Sequence, residues 1–350
     1  MATFYVKEQG AVIQKVDERL LVTKNQKQIA RFPLHEISQL VVMGNVQLTT
    51  QAMAMLLAAG VDVVLASQYG KIRGRLLSDE SKYVELRVRQ LQALSNPSIA
   101  LTLAKQIVLG KLLNQEAFVL QNGFVFGAEI QENAPNLTRS ASQIRAMLHQ
   151  GLACDNADSL RGFEGRAAAF YWPAFRRMLN EGMGFEGRAY RPPPDPVNAL
   201  LSFGYALLQK DVTASVRLTG LEMYLGFFHT VQYGRPSLVL DLMEEFRPLV
   251  VDGLVLNLIN HGSITASDFR RGKVDEGLTL KEASLRRVIT GYEERLETQI
   301  AVMAEGRQQQ ASLRRCIEIQ VRQFARVIKG EAQEFVPLAL AARHRGAPQG

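Results

Sequence analysis

The chain has 350 residues, enough for two domains or one large one, each with its own hydrophobic core. Hydrophobic residues at 47% and charged residues at 21% exclude a disordered chain and give the balance of a soluble globular protein. The net charge of +7 and the pI near 9.4 favour polyanionic partners and say nothing of fold.

Residues up to about 80 read as strands. Short apolar or alternating runs at 12–13, 20–22, 28–32 and 40–43 are separated by polar, turn-prone positions. Thr49 and Thr50 offer an N-cap for a helix over 51–59, and Gly60 stands where a helix C′ residue belongs. A strand over 61–66, a turn at 68–71 and a strand over 72–77 follow. The polar stretch 78–82 marks a change of character, and beyond it the periodicity is helical almost throughout. Leu101, Leu103, Ile107, Val108 and Leu112 recur at helical intervals, as do Leu285, Val288, Ile289, Tyr292 and Leu296, and then Leu313, Ile317, Phe324 and Ile328. The expected fold is therefore α+β with two domains. A small N-terminal β-strand domain, 1–80, precedes a larger all-α domain, 81–335, and 336–350 form a flexible basic tail. The opening residues lack a signal-peptide pattern, and the apolar stretch 52–66 is broken by Gly60 and Asp62 and too short to span a bilayer, so no membrane role is expected. Cys154 and Cys316 cannot build a disulfide framework and read as reduced thiols of a cytoplasmic protein.

No phosphate-cradling glycine loop and no nucleophile elbow is present. Chemistry is expected from three stretches in which acids and a histidine sit among apolar residues. In 160–172, Glu164 lies beside Gly165 and an alanine run. A carboxylate there needs a positive partner, either Arg161 or Arg166 in a salt bridge, or a ligand. The repeated string GFEGRA at 184–189 runs into a proline-stiffened loop, which leaves Glu164 the better candidate. In 221–229, His229 ends an apolar helical run; a core histidine satisfied by a carbonyl is the plain alternative. In 237–248, Ser237 reads as a cap, and Asp241 and Glu244 stand three residues apart on one helical face among apolar residues. Two like charges held so would raise each other's pKa. Pairing with Arg235 or Arg247 relieves the conflict, and so does a metal ion. One imidazole and several carboxylates without thiolates suit Mg²⁺ or Mn²⁺ better than structural zinc, with positions left for phosphate oxygens.

These residues resemble the CRISPR-associated adaptation (spacer-acquisition) nuclease-integrase family, the larger of the two universal adaptation proteins. The resemblance runs through MGNVQLTTQAMAMLLAAGVDVVLAS, LRGFEGRAAAFYW, RPPPDPVNALLSFGYALL and FFHTVQYGRPSLVLDLMEEFRP. It implies Glu164, His229 and Glu244 as metal ligands, with Asp241 as a helper or second-metal group. It further implies a homodimer formed through the β domain, a small ferredoxin-like partner protein, and double-stranded DNA as substrate. Short duplexes would be inserted into the CRISPR repeat by attack of their 3′-hydroxyls; with water as nucleophile the same site would be a nuclease. A standalone nuclease acting on branched or single-stranded DNA in repair uses the same residues, and a non-catalytic DNA-binding protein is the rival from another class.

Under the resemblance the basic residues become DNA contacts. Arg315, Arg322, Arg326 and Lys329 share one helix face by spacing and would fix DNA register through phosphates. Arg161, Arg166, Arg235 and Arg247, closer to the ligands, are candidates for the scissile phosphate. Tyr190 and Arg191 would hold a DNA end.

Overall fold

A computed structural model describes residues 2–68, 70, 72–76, 83–122, 127–180, 182–189, 192–271, 277–304 and 307–340. They divide into two compact units, 1–82 and 83–350.

The first unit is built of β1 (Ala2–Val6), β2 (Val12–Val16), β3 (Arg19–Lys24), β4 (Lys27–Pro33), β5 (Ile37–Met43), β6 (Gln47–Leu48), α1 (Thr50–Ala58), β7 (Asp62–Ala66) and β8 (Ile72–Leu76). Two four-stranded sheets result, in the orders β1-β5-β7-β8 and β4-β3-β2-β6. β5 lies parallel to β1 and β7, while β2, β3 and β4 form an antiparallel meander. Asn25 and Gln26, both with positive φ (49° and 63°), make the tight β3–β4 turn, the hand that matches strand twist. Ile13, Leu20, Leu40, Val42, Leu56 and Val63 belong to one core shared by both sheets and α1. Thr49 Oγ1 accepts from the Ala52 amide at 3.3 Å, and Gly60 takes the left-handed conformation (φ 67°) that stops α1, as its sequence expects.

The second unit begins with α2 (Val84–Leu94), α3 (Pro97–Asn122), α4 (Gly127–Ala153), α5 (Ala157–Met178) and α6 (Pro196–Thr219). Asn156 caps α5, Asp195 caps α6, and Gly220 (φ 87°) ends α6. α4 packs against both α3 and α5. Then come the short α7 (Ser237–Leu242), an irregular, wider-wound segment Arg247–Asp252, α8 (Gly253–Asn260), α9 (Glu282–Leu296) and α10 (Leu313–Lys329). Two hairpins interrupt them: β9 (Phe269–Arg271) with β10 (Leu278–Leu280), and β11 (Gln299–Ala304) with β12 (Arg307–Ser312). The unit is thus mainly helical but not the all-α domain expected. Strands of three to six residues carry too little periodicity to register alone, and their pairing partners decide them. Among the described residues no helix is long and apolar enough to cross a membrane.

Candidate active site

The segment 221–229, expected as a helix, is an irregular stretch of chain wrapped around one carboxylate. Gly220 breaks α6, and Gly226 then lies so close to Ser237 that a Cβ there would stand 2.7 Å from the Ser237 carbonyl carbon and 2.7 Å from Asp241 Oδ2. This close approach brings three successive amides onto Asp241: Phe227 N at 2.7 Å, Phe228 N at 3.1 Å and His229 N at 2.8 Å. The His229 ring closes the set, with Nδ1 2.6 Å from Asp241 Oδ1. Asp241 is fully buried and faces His229 rather than Glu244, so the repulsion expected between the two acids is met by dipoles and an imidazole. Ser237 is the first residue of α7 rather than its cap; its hydroxyl donates to Thr230 O and Arg235 O and fastens the 230–236 loop.

Glu244 does not continue α7. Its amide bonds Asp241 O at 3.2 Å in a tight turn between α7 and the irregular 247–252 segment. One carboxylate oxygen, Oε1, lies 3.5 Å from His229 Nε2 and 3.1 Å from Arg247 Nη2. The other, Oε2, lies 2.7 Å from the ammonium of Lys111 on α3, without the alignment of a hydrogen bond. The same ammonium donates to Glu164 Oε1 at 2.5 Å. Burial by itself pushes the Glu244 carboxyl up, but the charges of Arg247, Lys111 and His229 outweigh it and hold the group at about 2. For Lys111, burial lowers and the charges of Glu244 and Glu164 raise; the carboxylates win, and the ammonium is held above the usual lysine range. Glu244 is 3% exposed, against 19% for His229 and 22% for Glu164, so the cluster opens to solvent on the His229–Glu164 side. Among the described residues no three His, Cys, Asp or Glu groups form a ready cation shell. The cation between Glu164 and Glu244 is the protein's own Lys111.

The Glu244 turn is also fastened from behind. Asn114 on α3 donates to Glu245 O at 2.9 Å and to Leu338 O at 2.8 Å, and accepts from Leu340 N. Leu338 N and Gln320 Nε2 reach Glu245 Oε2, and burial pushes the Glu245 carboxyl up to about 8. The tail expected from 336 is thus tied down through 340; 341–350 lie outside the described residues. At the far end of the irregular segment, Asp252 accepts from Tyr171 on α5 at 2.7 Å and from Tyr205 on α6 at 2.5 Å. Burial raises its carboxyl to about 6, although both hydroxyls and the charges of Arg247 and Arg188 work against the rise.

The expected set Glu164, His229, Asp241 and Glu244 therefore comes together, joined by Lys111. Neither Arg161 nor Arg166 pairs with Glu164: Arg161 binds Asp158 and Phe228 O, and Arg166 lies over the Phe163 ring. Arg247 does pair with Glu244 and packs over the Tyr205 ring, while Arg235 contacts Thr230. Arg315, Arg322, Arg326 and Lys329 are all exposed along α10, opposite its buried Leu313, Ile317, Val321, Phe324 and Ile328. Glu318 pairs with Arg315 and, at 3.9 Å, with Arg322; Glu331 lies 3.8 Å from Lys329. Tyr190 and Arg191 lie outside the described residues. Lys111 and Asn114 escaped the sequence reading. The signal for both was a charge and an amide inside the apolar run of α3, the reasoning applied to Glu164 but to acids alone.

The family model described as CRISPR associated protein Cas1 matches residues 4–294. A CRISPR-associated exonuclease Cas4/endonuclease Cas1 fusion of Geobacter sulfurreducens is 35% identical over 337 residues, 95% of this chain and 59% of the fusion's length. The CRISPR-associated endonuclease Cas1 2 of Rhodospirillum rubrum is 34% identical over 343 residues, covering 96% of this chain and 97% of that protein. A solved casposase bound to integration product superposes with a TM-score of 0.80 at 21% identity, covering 99% of this chain and 96% of the other, and so shares the fold.

Proposed function

The chain belongs to the CRISPR-associated Cas1 family, and from that premise we propose that it is a divalent-metal-dependent DNA endonuclease and integrase whose site is Glu164, His229 and Glu244 with Asp241 behind them. The observation that supports this reading is that Glu244 shares the Lys111 ammonium with Glu164 of α5 through Oε2 and faces His229 of the 221–236 segment through Oε1. The donor set, one imidazole nitrogen and two carboxylates without sulfur, suits Mg²⁺ or Mn²⁺. Glu244 Oε2, buried and without an aligned hydrogen-bond donor, is an oxygen with capacity for such an ion. When bound, the ion supplies Lewis-acid polarisation of a phosphoryl group and lowers the pKa of an attacking water or hydroxyl.

The protein's own residues do the rest. Asp241, accepting from His229 Nδ1, fixes the ring and turns Nε2 toward Glu244, where a neutral imidazole would offer its lone pair to an ion. Arg161, Arg166, Arg235 and Arg247 remain the candidates for the scissile phosphate, Arg161 and Arg247 only where phosphate displaces their present partners Asp158 and Glu244. The exposed face of α10 tracks the duplex backbone without reading sequence. In the joining reaction a DNA 3′-hydroxyl attacks a phosphodiester at the edge of a CRISPR repeat. One P–O bond forms as another breaks, and no ATP is needed. Homodimerisation through the β domain, residues 1–80, and a small ferredoxin-like partner protein complete the proposed assembly.

The test supplies a short duplex with free 3′-hydroxyls, a supercoiled repeat-bearing plasmid, the small partner and Mg²⁺ or Mn²⁺. Joined products are expected, and cleavage alone would sink the integrase reading in favour of a repair nuclease. His229→Ala should abolish both reactions while DNA binding persists; retained activity would overturn the site.

A further inference from the structure

Lys111 is the one cation in the site that no motif assigned, and it stands where the two proposed ligands converge. Its ammonium is 2.5 Å from Glu164 Oε1 and 2.7 Å from Glu244 Oε2. A divalent ion ligated by those two oxygens would sit about 2.1 Å from each. Two cations cannot share that space, so occupancy by one requires the other to leave. Lys111 can leave without moving α3, because a flexible four-carbon stem carries its charge as a point with no fixed fork. Arg247, by contrast, is stacked over Tyr205 and bonded to Glu244 Oε1, the oxygen Lys111 does not use.

Charge supplies the second half of the case. Glu164, Asp241 and Glu244 carry three negative charges, and Lys111 and Arg247 return two. Those five groups leave the cluster one positive charge short of neutral while Lys111 occupies it. A divalent ion, with the lysine still tethered nearby, turns it one positive, which is the charge a single phosphodiester cancels. The surplus cation is then the displaced ammonium, beside the side of the cluster that opens to solvent.

We propose that Lys111 is a built-in competitor for the metal position: it fills the Glu164–Glu244 gap in the metal-free protein, is displaced by the divalent ion, and then binds the incoming phosphate. The idea rests on the metal-site reading above. It makes metal and DNA binding mutually supportive, since the phosphate rewards the displaced lysine and the metal frees it.

Metal affinity tests it without recourse to activity. Mn²⁺ titrations followed by the electron spin resonance of the free ion compare wild type, Lys111→Met, Lys111→Arg and His229→Ala. Lys111→Met should bind Mn²⁺ about tenfold tighter or more, melt lower without metal, and gain more than wild type on metal addition. Adding duplex DNA should tighten Mn²⁺ binding in wild type and less so in Lys111→Met. Lys111→Arg, whose planar fork can hold both carboxylates at once, should bind Mn²⁺ more weakly than wild type. Equal or weaker Mn²⁺ binding by Lys111→Met overturns the proposal while leaving the metal site standing. No His229-sensitive Mn²⁺ binding in any variant overturns both. Should Lys111→Met fail to fold, reductive methylation of wild type read by mass spectrometry decides. Lys111 should be protected without metal and react when Mg²⁺ is added; unchanged reactivity counts against the idea.

Discussion

Gly226 shows how much of the site depends on a hydrogen atom in place of a side chain. Its closeness to Ser237 and Asp241 is what lets the three amides of 227–229 reach one carboxylate. Gly226→Ala must push the segment off α7, and a destabilisation of about 1–3 kcal/mol is expected, seen as a lower urea midpoint at unchanged slope. Metal-dependent cleavage should fall with it, because the His229 ring takes its orientation from the same carboxylate. The acids of this site were legible because a buried charge needs a partner and the sequence put two of them three residues apart. What they partner was not. Asp241 is satisfied by backbone amides, which every residue but proline carries and no sequence pattern marks, and Glu164 is met by Lys111, 53 positions away.

Among elements, the irregular Arg247–Asp252 segment is the piece the sequence concealed most completely. Its apolar spacing is that of an ordinary helix, and Pro248 at its start is compatible with one. The widened winding aims Asp252 at two tyrosines from α5 and α6, an arrangement fixed only by tertiary contact. It has a pH signature. The Asp252 carboxyl titrates near 6 in the fold against an ordinary value of 3.8, so between those values the native state holds more protons than the unfolded chain. Stability from this group is therefore lost as pH rises through that window, by at most about 1.4 kcal/mol per pH unit. Urea unfolding at intervals across pH 4 to 6 should show the slope in wild type and a flatter profile in Asp252→Asn. Helices of α10 or α9 type, with long amphipathic runs, were readable from periodicity alone; the two hairpins were not, since each strand is decided by the other.

For the molecule as a whole, the exposed row Arg315, Arg322, Arg326 and Lys329 is one part of the positive excess that a duplex could meet. Replacing all four by Gln should weaken duplex binding at least about tenfold at roughly 0.1 M salt. The dependence of log Kd on log salt should flatten by about 0.9 for each phosphate that the helix no longer neutralises. The fold and Mn²⁺ affinity should be unchanged, because the buried face of α10 keeps its apolar residues. An undiminished salt slope would show that the duplex runs elsewhere.

The strap that holds the Glu244 turn has a further meaning in the order of synthesis. Leu338 fastens Glu245 from 93 positions downstream. A growing chain contains Glu164, His229, Asp241 and Glu244 long before Leu338 is added to fasten the turn beside them. A chain ending short of residue 335 carries Glu164, His229, Asp241 and Glu244 without the Leu338 contact beside the Glu244 turn, and it is expected to show no metal-dependent cleavage when assayed.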